Sequence, residues 1–168
     1  MTSFWHEPNS ASLANPLDLA EQVLSERDWV YDRAEQQALY ADYEGAWCNY
    51  RIMLSWHEAF GALTFSCAMD TRIAATALPK LYPLLAKINQ QLWLGHFDLT
   101  EDQKCMEFRY SMLLKGVDGV SLEQVEDLLD IAITESEKFY PAFQSLIWGD
   151  KSAEDVLRMV LMDTQGEA

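Results

Sequence analysis

The side chains able to do chemistry are few and scattered. His6, His57 and His96 are the only histidines, and no two have the H-x-x-x-H or H-E-x-x-H spacing that turns a pair of ligands toward one metal. A metal site needs three or four ligands at fixed geometry, so none is expected, and His96 in WLGHFDL reads as a structural strand residue. Cys48, Cys67 and Cys105 are an odd number without C-x-x-C spacing. They sit in apolar stretches, where the nucleophilic thiolate is disfavoured and a reduced thiol packs as a small hydrophobe. Cys105, beside Lys104 and near a turn, is the most exposed of them by position. No serine has a G-x-S-x-G context. The segment KGVDGVS has its lysine on the wrong side for a phosphate loop, and it opens onto a helix whose first residues are acidic, where a phosphate would clash. Glu123, Glu126 and Asp130 recur along one helical face and could move protons or hold a divalent cation. They lie opposite Val125, Leu128, Leu129 and Ala132, which is the pattern of a solvated helix face. The expectation is no catalytic residue, no metal and no cofactor.

The aromatics say more. Six tryptophans exceed what one small core needs. Trp56 and Trp93 are expected on buried faces, whereas Trp47, beside Met53, and Trp148, after FYPAFQSLI, have no evident place. Exposed Trp, Met and Arg concentrate at protein interfaces. The candidate protein-binding surface is therefore Trp47, Arg51, Met53 and Trp148, unless helices cover those rings. Arg51 would pair with a partner carboxylate or with Asp70 on its own neighbouring strand.

Charge narrows the partners. Twenty-seven acidic residues against twelve basic ones leave a formal charge of -15, a field that repels phosphate backbones and anionic membranes. There is no run of Lys or Arg, so nucleic acid is not expected. No window approaches eighteen apolar residues, so no membrane insertion is expected. The start of the chain lacks the basic and apolar regions of a signal peptide, and with reduced cysteines this points to the cytoplasm.

The positioning elements follow from periodicity. With 168 residues, 49% of them hydrophobic, the chain has material for one domain with a sizeable core. Residues 1–14 read as a flexible lead-in in which Phe4 and Trp5 are unusual, 15–163 as a single α+β domain and 164–168 as a tail. Asn15 and Pro16 start a helix to about Arg27. Alternation predicts strands over 29–34, 38–44, 47–56 and 62–70. The third and fourth should pair with Trp56 near Gly61 and Tyr50 near Cys67, placing Tyr50, Ile52, Leu54, Phe65 and Cys67 on one face. A helix over 77–92 follows, bent at Pro83, then strands over 93–99 and 105–114. Ser121 and Gln124 make a capping box for a long helix that Pro141 should kink or break near Tyr140. A last helix opens at Ser152. The order α-ββββ-α-ββ-α-α implies an antiparallel sheet covered by helices on one face.

Five stretches, taken in order and spacing, resemble the YbjN-domain family of bacterial proteins over about residues 16–160. They are WCNYRIMLSW, GALTFSCAMD, LLAKINQQLWLGHFDL, FRYSMLL and FYPAFQSLIWG followed by KSAEDVL. The resemblance implies a fold like the class I chaperones of type III secretion, usually dimeric, and a role in regulating sensory transduction. It carries no catalytic residue. The expected function is a non-enzymatic, chaperone-like homodimer that binds another protein or a peptide segment through an apolar surface. The alternatives are a small-ligand sensor with an apolar cavity, or an enzyme with converging titratable groups.

Overall fold

Asn15 caps the first helix as the sequence predicts: its side-chain oxygen accepts from the Leu17 N–H at 3.0 Å, and Pro16 fills the first helical position. The computed structural model describes residues 15–100, 102, 104–149 and 151–163. The expected lead-in 1–14, with Phe4, Trp5 and His6, and the tail 164–168 lie outside the described residues. Helix α1 (Pro16–Glu26) is followed by strands β1 (Tyr31–Ala34), β2 (Ala38–Glu44), β3 (Asn49–His57) and β4 (Ala62–Met69). Helix α2 (Leu78–Asn89), strands β5 (His96–Leu99) and β6 (Met106–Leu113), and helices α3 (Leu122–Trp148) and α4 (Ala153–Asp163) complete the predicted order.

The strands form one antiparallel sheet in the order β1-β2-β3-β4-β6-β5. Because side chains alternate, Tyr50, Ile52, Leu54 and Trp56 of β3 fall on the same side as Leu63, Phe65, Cys67 and Met69 of β4, and all are buried. From β6 and β5 they are joined by Met106, Phe108, Phe97 and Leu99. α3 lays Val125, Leu128, Leu129, Ala132, Phe139 and Phe143 into this side, while α1 adds Leu17, Ala20, Val23 and Leu24. Phe97 meets Phe108, Phe139 and Phe143 edge-on, at centroid distances of 5.6, 5.9 and 5.3 Å, in the geometry that aromatic quadrupoles favour.

The β3–β4 register differs from the expected one by two residues. Tyr50 lies opposite Met69, Ile52 opposite Cys67 and Trp56 opposite Leu63. The connection is a four-residue loop, with Glu58–Phe60 in a 3-10 turn and Gly61 closing it at φ 58°, so the hairpin closes at His57–Ala62 and not at Trp56–Gly61. A slip of two leaves every side chain on its face, which is why the core assignment survives the wrong register.

Two further expectations are corrected. α3 runs through Pro141 without interruption. The hydrogen bond that proline removes is outweighed by the burial of Phe139, Tyr140, Phe143 and Leu146 on both sides of it. Trp93 is 75% exposed because β5 starts only at His96, leaving the ring in the preceding turn. The outer edge of β5 is closed: the Asn89 side chain donates to the Phe97 carbonyl at 3.0 Å and accepts from its N–H at 2.8 Å. That occupies the backbone groups through which a further strand would add.

Replacing Ile52 or Phe65 by alanine should each cost ~2–5 kcal/mol in denaturant melts, the range for truncating a fully packed side chain. Losses below about 1 kcal/mol for both would show that this face is not the core.

Candidate functional site

Among the described residues, no helix packs over the other side of the sheet. Its side chains run in cross-strand rows: Asp32, Tyr40, Met53, Ser66, Arg109 and His96 in one, and Asp42, Arg51, Ala68, Glu107 and Asp98 in the next. Ser55, Thr64 and Ser111 make a third. Small residues at the centre (Ser55, Thr64, Ser66, Ala68, Ser111) flanked by longer ones make the face a trough. One depression in it, of about 620 Å³, crosses β3 to β5 and is lined by Met53, Thr64, Ser66, Asp98, Glu107 and Arg109, with Tyr82 reaching in from α2. Two more depressions, of about 520 and 310 Å³, meet at Arg51, Asp42 and Val30.

The charges on this face are uneven. Arg51 pairs with Asp42 at 3.2 Å, across β2–β3 and not with Asp70. Asp98 and Glu107 stand directly opposite each other in the β5–β6 pair, an arrangement in which like charges repel. Arg109 serves both at 3.7 and 3.8 Å, too far for a good hydrogen bond to either. Burial pushes the Glu107 carboxyl up, against the pull of Arg109 and with the help of Asp98.

The four candidate residues do not form one surface. Arg51 and Met53 lie on the open face. Trp47 sits in the loop before β3, on the helix side, with its ring stacked on Tyr140 of α3 at 6.2 Å. Trp148 ends α3 and is 64% exposed beside Arg72, Ala77 and Lys80. Asp98, Glu107, Arg109 and Tyr82 were not singled out by the sequence. Alternation in FRYSMLL orients Arg109, but only the pairing of β6 with β4 across the α2 insertion brings it to Met53.

Beside the Trp47 loop a set of polar groups runs from the surface into the core. The Ala46 N–H donates to Glu137 Oε1 at 2.9 Å, and Thr71 donates to the Tyr140 hydroxyl at 3.2 Å. Gly45 is required here, since a Cβ would come within 2.1 Å of Glu137 Oε1 and 2.3 Å of the Tyr50 ring. The Tyr50 hydroxyl and Ser136 Oγ are buried without a hydrogen bond of good geometry among the described residues, although Glu137 and Cys48 lie near the first and Cys67 near the second. Burial pushes the Tyr50 hydroxyl far up and the Cys67 thiol up to about 12; it raises Cys48 and Cys105 as well. These thiols therefore stay protonated at neutral pH, which suits packing rather than attack. Among the described residues no cluster of three His, Cys, Asp or Glu side chains could hold a metal ion, and no helix is long and apolar enough to cross a membrane.

Tyr50→Phe should leave stability unchanged or raise it by up to about 1 kcal/mol in denaturant melts, because a buried hydroxyl without a hydrogen bond of good geometry is desolvated for no return. A loss greater than about 1 kcal/mol would mean that the hydroxyl is bonded in solution.

Comparison with known proteins returns one family. A family model named YbjN, described as "Putative bacterial sensory transduction regulator", matches residues 16–145. A crystal structure of YbjN, described as "a putative transcription regulator from E. coli", aligns with a TM-score of 0.49 at 19% identity, covering 77% of this chain and 97% of that one. No curated protein matches the chain.

Proposed function

The chain belongs to the YbjN family, and from that premise we propose that it is a non-enzymatic regulator that holds another protein, or a peptide segment of one, on the open face of its sheet. The observation that carries this reading is the combination of trough and apolar rim. Tyr40, Met53 and Tyr82 stand along the trough, the same face ends in the exposed side chain of Leu113 (74%), and Phe60 (69%) is exposed in the adjoining β3–β4 loop. Val117 lies in the loop just after β6, which is tied to the β3–β4 turn where the Leu114 N–H donates to the Gly61 carbonyl at 2.7 Å. Exposed apolar groups gathered on a polar face mark contact sites. An open groove suits a chain segment better than it suits a small molecule, which is usually enclosed.

The charge of -15 argues that regulation runs through protein contacts and not through direct contact with nucleic acid. Arg51 and Met53 belong to the proposed face. Trp47 and Trp148 lie off it and are assigned to a homodimer contact, with the exposed Trp93 as a further candidate. The dimer, the chaperone-like manner of action and a cytoplasmic location form part of the proposal; the three free cysteines suit a reducing compartment.

Affinity capture from the source cells should recover partner proteins with the unchanged chain and with Trp148→Ala, and lose them with the pair Met53→Lys and Leu113→Asp, while circular dichroism and melting stay unchanged. Undiminished recovery with the face variant would place the contact elsewhere. Sedimentation equilibrium at micromolar concentration should show a dimer, and a distribution containing only the 19.3 kDa species at high concentration would remove that part of the proposal.

A further inference from the structure

We propose that the occupant of the open face is an extended, basic segment of a partner protein, one Lys or Arg of which enters between Asp98 and Glu107. This rests on the reading of the face as a contact surface and adds the chemistry of what it contacts. Asp32, Asp42, Glu44, Asp70, Asp98 and Glu107 line the face and its depressions, against Arg51 and Arg109 as the only guanidiniums there among the described residues. Carboxylates outnumber cations three to one on a surface that also has to avoid wrong partners, and a complementary partner carries the opposite sign. Like charges would set two copies of this face against each other, which disfavours a second copy of the chain as the occupant.

Asp98 and Glu107 supply the local reason. A cross-strand pair of carboxylates works against the sheet that bears it. One guanidinium divided between them, at 3.7 and 3.8 Å, leaves room and charge for a second cation. Glu107 is the more enclosed of the two, with its side chain 13% exposed against 52% for Asp98, so an entering cation would gain one shielded partner and one at the surface. The floor beneath is small and hydroxylated: Thr64, Ser66 and Ser111 can donate to or accept from a peptide backbone laid across them. The face crosses strands spaced ~4.8 Å apart, a span that suits a segment of roughly seven or eight extended residues. Addition at the β5 edge is closed by Asn89, which directs the segment onto the face and away from that edge.

The test uses the full chain and three labelled twelve-residue peptides in which serine alternates with lysine, glutamine or glutamate, followed by fluorescence anisotropy. The lysine peptide should bind, and the glutamine and glutamate peptides should bind at least roughly tenfold more weakly. The double variant Asp98→Asn, Glu107→Gln should lose a similar factor, as should Ser111→Trp, which fills the trough without altering the number of charges. Thr64→Trp serves the same end if Ser111→Trp does not fold. Glu123→Gln with Asp127→Asn, on the solvent side of α3, should change nothing. If the lysine peptide fails to bind, or binds the double variant as well as the parent, the inference is wrong. If lysine and glutamine peptides bind alike and Ser111→Trp abolishes both, the face remains the contact surface and only its charge preference falls. If Ser111→Trp still binds the lysine peptide fully, the face is not the site and the proposed function falls with the inference.

Discussion

α3 has to cover what alternation in β3 and β4 exposes. Those two strands send Tyr50, Ile52, Leu54 and Trp56, with Leu63, Phe65, Cys67 and Met69, to one side of the sheet, and every one of them is buried. At ~25 cal/mol per Å² of apolar surface this is the principal stabilising contribution. A helix of 27 residues is long enough to span the sheet, and it continues through Pro141 because interruption there would uncover Phe143 and Leu146. α1 and α2 fill the flanks, and α4 rests on α2 and α3 outside the sheet layer.

The remaining features follow from this one-sided burial. Tight packing beneath α3 leaves room for the Glu137 contact at the Trp47 loop only because residue 45 has no side chain. On the opposite side no helix among the described residues packs across the sheet, and small residues there are tolerated because nothing must interlock with them. Serine, threonine and alanine at the centre and charged residues at the margins turn the uncovered side into a groove. A like-charged pair such as Asp98 and Glu107 persists on a partly enclosed floor against the interest of the sheet. Features that oppose stability in this way are often kept for function.

Much of this was legible from residue types because the signals are local. The Asn15–Pro16 start and the Ser121–Gln124 capping box each depend on neighbours within one turn, and both form as read. The two faces of β3 and β4 were readable because the period of two survives an error in register. The register itself was not, since pairings that differ by two residues satisfy the same alternation, and the turn with Gly61 in the left-handed region closes on His57–Ala62. At the site, parity placed Arg51 and Met53 on the outer face. Trp47 misled because the strand begins at Asn49, two residues later than its pattern suggests. Asp98, Glu107 and Arg109 were invisible as a group. β6 enters the sheet beside β4 only after α2 and β5 have intervened, and no spacing in the chain encodes that adjacency.

One side of the sheet is dry, and the proposed function leaves the other open until a partner covers it. Hydroxyl-radical footprinting, read by mass spectrometry on the free chain and on the chain with its captured partner, addresses both halves at once. Tyr40, Met53 and Tyr82 should be modified in the free chain and protected in the complex, while Leu54, Phe65 and Phe108 stay unmodified in both. Protection of Tyr40 and Met53 in the free chain at every concentration, or equal labelling of all three open-face residues with and without partner, would contradict the account.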